Sequence, residues 1–282
     1  MNYRSSSQAF KFDILTVLKY CEITSALGEL DVRGLGNATG ENIPKVSETI
    51  QYLRFCDLIH NDKLSSFGLY ILKLKKFPEF FEPLLLFKLS RGGINGGHYY
   101  FSRLLNDVLY NIAFEIDNKK SLDSILEKCI ALEIEREFCK DNIEGKRKYF
   151  RQALNMGLAN SVSGFGKMGM VAEKDGTFEI VGYIPHKLVT AFILYDNWPR
   201  GRAALKLNEL VTADYLPGRI FFMSQDVLYQ QLHELAAERL IYIEQQAGLD
   251  QIRLNPEIGP QDILDRMVEY AEQTNALTAT GL

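Results

Sequence analysis

Residues 42–68 contain the local pattern that most constrains the fold, a capped helix followed directly by a tight hairpin. Asn42 is a helix-capping residue, Pro44 suits the first helical turn, and apolar residues follow at helical spacing (Val46, Ile50 and Leu53). The segment CDLIHNDKLSSFG then gives a short apolar strand, a polar turn at residues 61–63 and a return segment. The pattern predicts a helix that packs beside a small antiparallel hairpin.

A second amphipathic helix precedes this unit. Apolar side chains recur at helical spacing from about residue 9 to residue 27. A glycine-rich segment, interpreted as a turn, separates the two helices (Gly34, Gly36, Asn37 and Gly40). Helix, turn, capped helix and hairpin in this order are the layout of a winged helix-turn-helix, whose second helix can enter the major groove of DNA. We therefore predict a winged-helix-like domain over residues 1–77.

The combination of helix and hairpin recurs twice along the chain. A basic helix that reaches residue 158 precedes alternating strands around Asp175-Gly176, a dipeptide typical of a two-residue hairpin turn. After residue 217, a helix over about 224–239 leads to two short strands, and a last helix covers about 261–273. The predicted fold class is mainly α with small β-hairpins, an α+β fold with winged helix-turn-helix-like modules.

The length of 282 residues predicts more than one domain. We place a helical middle region with a glycine-rich loop at residues 78–160. A C-terminal helical domain with winged-helix-like hairpins follows at residues 161–282.

Charge and cysteine usage narrow the class of protein. The net charge of -4 argues against a histone-like DNA binder. Residues 1–103 contain 13 basic and 10 acidic residues, whereas residues 151–282 contain 11 basic and 16 acidic ones, so a nucleic-acid surface is expected early in the chain. Four widely spaced cysteines predict buried thiols rather than disulfides or zinc ligands. No apolar stretch predicts a signal peptide or membrane span, and we expect a cytoplasmic protein without membrane contact.

Basic and amide side chains fall in three groups that are candidates for DNA binding. The first group lies on the capped helix and in the hairpin, where side chains can reach phosphates or base edges. The second flanks the glycine-rich loop at residues 90–98, whose backbone N–H groups suit a phosphate. The third is a dense basic run with aromatic neighbours. The groups are Lys45, Gln51, Arg54 and Lys63; Lys88, Arg91 and Arg103; and Lys146, Arg147, Lys148 and Arg151. In each group a solvated helix face or a flexible connection is the alternative.

Three neighbouring residues are the candidates for catalysis. His98 beside Tyr99 and Tyr100 is a possible general base next to a tyrosyl nucleophile, although such aromatics more often pack in a core. Glu133, Glu135 and Glu137 alternate on a predicted helix, where their side chains diverge, and we expect them in solvent. No metal site is predicted from these residues. A nickase would need a divalent metal such as Mg²⁺.

Several stretches resemble a bacterial domain-of-unknown-function family that includes the SspB-type proteins of single-strand DNA phosphorothioation systems. The most similar stretch is LPGRIFFMSQDVLYQQLHELAAERLIYIEQQAGLDQIRL at residues 216–254, with support from ENIPKVSETIQYLRFCDLI and HYYFSR. The resemblance implies a role in phage defence, with DNA nicking for sulfur incorporation. It also implies three partners, namely a cysteine desulfurase (SspA-like), an ATPase (SspD-like) and an SspC-like component.

Three functions stay open at this point. The first is a DNA-binding and nicking component of such a system. The second is a non-catalytic adaptor whose winged helices recruit the desulfurase or the ATPase. The third is a transcriptional regulator, which suits a winged helix but would be expected to have a dimerisation helix.

Overall fold

A computed structural model describes residues 12–91, 98–135, 143–246 and 249–279. The first helices are α1 (Ile14–Leu27), α2 (Val32–Thr39) and α3 (Ile43–Phe55), followed by the hairpin β1 (Ile59–His60) and β2 (Lys63–Leu64). Each helix begins after a capping residue whose side chain accepts a hydrogen bond from a backbone N–H of the first turn; the caps are Asp13, Asp31 and Asn42. We call α1 to β2 the N-terminal module.

The glycine-rich segment is helical, so its interpretation as a turn was wrong. Asp31 accepts hydrogen bonds from the N–H groups of Arg33 and Gly34, and Leu35 is fully buried. The cap and the buried leucine together outweigh the low helix propensity of the glycines. Gly40 ends α2 with a φ of 72°, a left-handed conformation that favours glycine.

The hairpin of the N-terminal module agrees with the sequence prediction. Asn61 and Asp62 connect its strands with φ values of 47° and 59°. Two consecutive left-handed residues are typical of a type I′ turn, and Asn and Asp tolerate this conformation better than most side chains. Arg54 of α3 contacts Asp62 at 3.1 Å, which joins the helix to the hairpin tip.

The middle of the chain is helical around one small sheet. The helices are α4 (Ser66–Leu74), α5 (Pro78–Ser90), α6 (Tyr99–Arg103), α7 (Tyr110–Ala113), α8 (Leu122–Glu135) and α9 (Ile143–Gln152). Two π-helical turns extend α6 and α9, at Leu104–Leu109 and Ala153–Leu158, and a 3₁₀ turn covers Gly166–Met168. The predicted hairpin around residue 175 is present as β4 (Val171–Lys174) and β5 (Thr177–Ile180), and β3 (Lys119–Ser121), which we did not predict, pairs with β5.

The last part of the chain repeats the plan of helices followed by a hairpin. Its elements are α10 (Lys187–Asp196), β6 (Leu205–Lys206), α11 (Leu207–Thr212), α12 (Pro217–Ile220), α13 (Gln225–Ala237), β7 (Ile241–Gln246) and β8 (Leu249–Leu254). The strands form an antiparallel sheet in the order β6-β8-β7. We call α10 to β8 the C-terminal module. The final helix α14 (Pro260–Ala279) is longer at its C-terminal end than predicted.

The predicted fold class is confirmed: the chain is mainly helical with small antiparallel sheets, an α+β fold. Buried apolar side chains form one continuous cluster through the three segments that we predicted as domains. Phe67 stacks on Phe192 with ring centroids 5.7 Å apart, and Tyr70 donates a hydrogen bond to Asp265. The domain boundaries at residues 77 and 160 stay a prediction.

Two further expectations concern cysteines and membrane segments. Cys21, Cys56 and Cys129 are buried free thiols, as predicted, and burial raises the pKa of each; Cys139 lies outside the described residues. None of the helices in the described ranges combines the length and the apolar content that crossing a bilayer requires.

Candidate nucleic-acid interface

Helix α3 presents a polar face to solvent beside the hairpin. Val46, Ile50 and Leu53 are buried and hold the helix against the core. The opposite face carries Ser47, Gln51 and Arg54, which are four and three residues apart and therefore neighbours on one helix surface. Lys63 extends the same unit from strand β2, and its side chain is exposed. This arrangement can meet a groove with side chains that reach both phosphates and base edges.

Two cations of this unit already contact carboxylates. Lys45 lies at the edge of the helix face with its ammonium group 2.5 Å from Glu41, and Arg54 pairs with Asp62. The side chains of Lys45 and Arg54 are 58% and 56% exposed. Ion pairs this exposed contribute little stability, so a phosphate can replace the carboxylate at low cost.

Lys88 and Arg91 form a different kind of cluster. The ammonium group of Lys88 is 3.0 Å from Asp57 and 2.8 Å from Asp196, and its side chain is only 4% exposed. Arg91 contacts Asp196 at 2.8 Å. The Lys88 ammonium also lies 4.8 Å from the centre of the Phe67 ring. A DNA phosphate would have to displace two carboxylates to reach Lys88, and burial therefore disfavours DNA contact by this residue.

The basic run on α9 separates into two faces. Lys146 is buried and Arg147 is half-buried, with a guanidinium nitrogen 4.0 Å from Glu127. Lys148 and Arg151 are exposed, three residues apart, and no carboxylate within the described residues pairs with them. The exposed pair is the part of the run that can meet a nucleic acid. The predicted phosphate-binding glycines at residues 92–97 lie outside the described residues.

His98, the first catalytic candidate, is a buried helix cap. Its Nδ1 accepts a hydrogen bond of 3.4 Å from the backbone N–H of Phe101, at the start of α6. The ring stacks on Tyr52 of α3 with centroids 6.0 Å apart. Burial lowers the pKa of His98 to about 4, because the charged imidazolium is poorly solvated there.

The neighbouring tyrosines have different surroundings. The hydroxyl group of Tyr99 donates to both carboxylate oxygens of Glu133, at 2.8 and 3.0 Å. Burial and this hydrogen bond raise the pKa of Tyr99, which disfavours its phenolate form. Tyr100 is buried against Tyr149 and Phe150. The hydroxyl group of Tyr99 thus donates its hydrogen bond to a carboxylate. A catalytic role for His98, Tyr99 or Tyr100 stays a prediction.

Glu133 is the centre of a buried charged network, so our expectation that it lies in solvent was wrong. Lys146 and Arg103 approach its carboxylate at 3.7 and 3.8 Å. Arg103 also pairs with Asp107, whose other oxygen is 3.7 Å from Arg219. Burial raises the pKa of Asp107. Three cations therefore surround two carboxylates at the junction of α6, α8, α9 and α12.

Sequence reasoning missed Asp107, Glu133 and Arg219. A signal for Glu133 was present, because it continues the stripe of buried residues at 125, 126 and 129 along α8. Asp107 lies in the π-helical turn at Leu104–Leu109, where the Tyr110 N–H bonds to Leu105, five residues earlier. π-Helical turns are frequent at functional sites, but neither helical periodicity nor a capping pattern indicates one.

A divalent metal does not fit the described residues. They contain no group of three or more His, Cys, Asp or Glu side chains that could hold a metal ion. The two buried carboxylates of the network face arginine and lysine groups that already balance their charge. We therefore derive no metal-dependent step from these residues.

Two modules of helices followed by a hairpin, with a polar helix face on the first, define the chain as an α+β protein. No protein-family model matches the chain, and no curated protein is significantly similar in sequence. Two solved structures share the fold. One is the crystal structure of SspB, with a TM-score of 0.67, and the other is that of magnesium-bound SspB, with a TM-score of 0.68. In each case the identity is 12% and the alignment covers 94% of this chain and 87% of the other.

The Glu133 network predicts a large loss of stability when its centre is removed. Glu133→Ala leaves Lys146 and Arg103 buried without their shared carboxylate, and we expect the free energy of unfolding to fall by about 3 kcal/mol. Glu135→Ala on the same helix is the matched control, because Glu135 is exposed and its loss should change stability by less than about 0.5 kcal/mol. Urea denaturation measures both variants. Equal effects would refute the buried network.

The buried cap predicts a specific pH dependence of stability. Because the pKa of His98 falls from 6.5 to about 4 on folding, the unfolded chain binds this proton first as the pH falls. Stability from this group is present above pH 6.5, falls below it and is lost once the pH passes about 4, with a total loss of roughly 3 kcal/mol.

The test is urea denaturation between pH 7 and pH 4.5. His98→Asn keeps a capping side chain and should flatten the decline. His60→Asn, on the exposed end of β1, should decline as the natural chain does. An unchanged pH profile in His98→Asn would show that other groups cause the decline.

Proposed function

We propose that this protein is a DNA-binding component of a DNA phosphorothioation and phage-defence system. The observation that carries the proposal is the fold, which matches SspB structures over 94% of the chain. The sequence stretches at residues 41–59 and 216–254 resemble the SspB-type family independently of that match. Agreement between local sequence and overall fold supports this function over that of a transcriptional regulator.

The DNA surface that we propose consists of α3 and its hairpin. Arg54 is exposed on the helix with the half-buried Gln51 beside it, and Lys63 lies exposed on the adjacent strand. A helix of this kind fits the major groove, while the hairpin reaches the neighbouring backbone. Lys45 adds a cation at the edge of the helix face.

A second contact is proposed on α9. Lys148 and Arg151 are exposed and one helical turn apart, which suits two phosphates of one strand. The remaining candidates, namely Lys88, Arg91, Arg103, Lys146 and Arg147, approach carboxylates, and we give them the role of holding the fold.

Nicking of DNA is the activity that we propose at the level of the family. One of the two SspB structures is described as bound to magnesium, which is consistent with a metal-dependent member of this fold. The proposed partners are the SspA-like desulfurase, the SspC-like component and the SspD-like ATPase.

The DNA surface can be tested by removing two charges. Arg54→Ala with Lys63→Ala should weaken binding to a 25-base-pair duplex and lower the salt slope of log Kd by about 2, because two phosphate contacts are lost. Lys174→Ala with Arg200→Ala removes the same charge from exposed positions of β4 and the loop after α10. Fluorescence anisotropy between 50 and 200 mM salt (roughly the range over which such contacts are screened) gives both slopes.

Three outcomes are informative. Loss confined to the α3 and hairpin variant supports the proposed surface. Equal loss in the control variant indicates general electrostatic attraction without a site. Loss only in Lys148→Ala with Arg151→Ala would move the surface to α9.

Nicking is tested separately with supercoiled plasmid. We expect open circles with Mg²⁺ or Mn²⁺ when the three partner proteins are present, and fewer of them with the Arg54→Ala and Lys63→Ala variant, because a nickase must first bind its DNA. If no open circles form with pure protein and all partners, the protein is a non-catalytic adaptor. Retained DNA binding in that result would leave the DNA-binding proposal intact.

A further inference from the structure

Helix α14 carries an acidic stripe of exposed residues, in which Asp265 accepts a hydrogen bond from Tyr70 of α4 and the other three carboxylates contact no other helix or strand of the described residues. Its inner face is apolar and buried, through Ile263, Leu264, Met267 and Ala271. Its outer face carries Asp262, Asp265, Glu269 and Glu272, whose spacing of three, four and three residues places them in one line. The line extends about 15 Å along the helix, since each residue adds about 1.5 Å.

The stripe borders a groove with a partly apolar floor. The groove has a volume of about 620 Å³ and is lined by the turn before α14 and by one side of the helix. Ile258 and Val268 are half-buried in it, and Glu257 adds a further carboxylate at its rim. An apolar floor with a charged rim is the arrangement that interfaces between proteins use.

The charge of the surroundings determines what can bind there. Residues 224–279 contain ten acidic and three basic residues, so this part of the chain repels phosphate groups. Glu234 and Glu238 of α13 are already paired with Lys187, at 3.4 and 2.6 Å. The α14 stripe is different, because Glu269 and Glu272 pair with no cation in the described part of the chain.

We propose that the α14 stripe and its groove are the docking surface for a basic amphipathic helix of a partner protein. Lysine or arginine side chains one turn apart would face the carboxylates, and one or two apolar side chains would lie on Ile258 and Val268. Arg266 also lines the groove, so the basic side chains of the partner helix would have to face the carboxylates away from it. The proposal does not depend on DNA binding by the N-terminal module, which uses other residues.

A synthetic peptide can test the surface with the whole protein. The probe is a labelled twelve-residue peptide of leucine and lysine at helical spacing, compared with a peptide in which serine replaces each leucine. We expect the leucine peptide to bind more tightly, because the serine peptide has the same charge but cannot use the apolar floor. Glu269→Gln with Glu272→Gln should weaken its binding by about threefold to tenfold.

The control is Glu135→Gln with Glu144→Gln, which removes the same charge from exposed positions of α8 and α9. Equal weakening in this control, or equal binding of the serine peptide, would overturn the proposal. So would a change in duplex binding by the α14 variant, since the stripe would then belong to the DNA surface. Sedimentation of the natural chain and of the Glu269→Gln with Glu272→Gln variant tests whether a second copy of this chain occupies the groove. If the natural chain self-associates and the variant does not, the occupant is a second copy, and the proposal of a basic partner helix is rejected.

Discussion

The buried ammonium group of Lys88 joins the two modules. Asp57 belongs to the N-terminal module and follows α3 in a left-handed conformation with a φ of 56°, while Asp196 ends the first helix of the C-terminal module. Lys88 lies within 3.0 Å of both carboxylates on a helix whose residues 80–90 are all buried. An unpaired charge at this depth is strongly destabilising. The lysine and the two aspartates must therefore meet, which fixes how α3 and α10 lie relative to α5.

This constraint also explains why the basic residues of the chain serve two purposes. Lys88 is a buried cation that Asp57 and Asp196 neutralise at the module junction, and Lys146 and Arg103 balance the buried carboxylate of Glu133. Arg54, Lys63, Lys148 and Arg151 have exposed side chains. Lys88 is itself buried, so it cannot leave its two carboxylates for a phosphate without remaining as an unpaired charge in an apolar surrounding. Of these two groups only the second is available to a ligand. The total number of basic residues therefore overstates how many of them can contact DNA.

The sequence predicted the elements whose signals are local. The cap at Asn42, the type I′ turns and the final hairpin follow from residue types that act within a few positions. Helix α2 was missed because its stability comes from burial of Leu35, which a count of glycines does not show. Strand β3 was missed for a similar reason, since it is three residues long and exists through pairing with β5.

The candidate site was less predictable than the fold because charge pairing is not local. Tyr99, Arg103 and Lys146 were identified in three separate groups of candidates, yet they converge on Glu133 from α6 and α9. Sequence periodicity tells which side of a helix is buried, and a charged residue on that side must find a partner. It does not tell which element supplies the partner. A glutamate in a buried stripe therefore predicts a network, and the members become known only when the helices are packed.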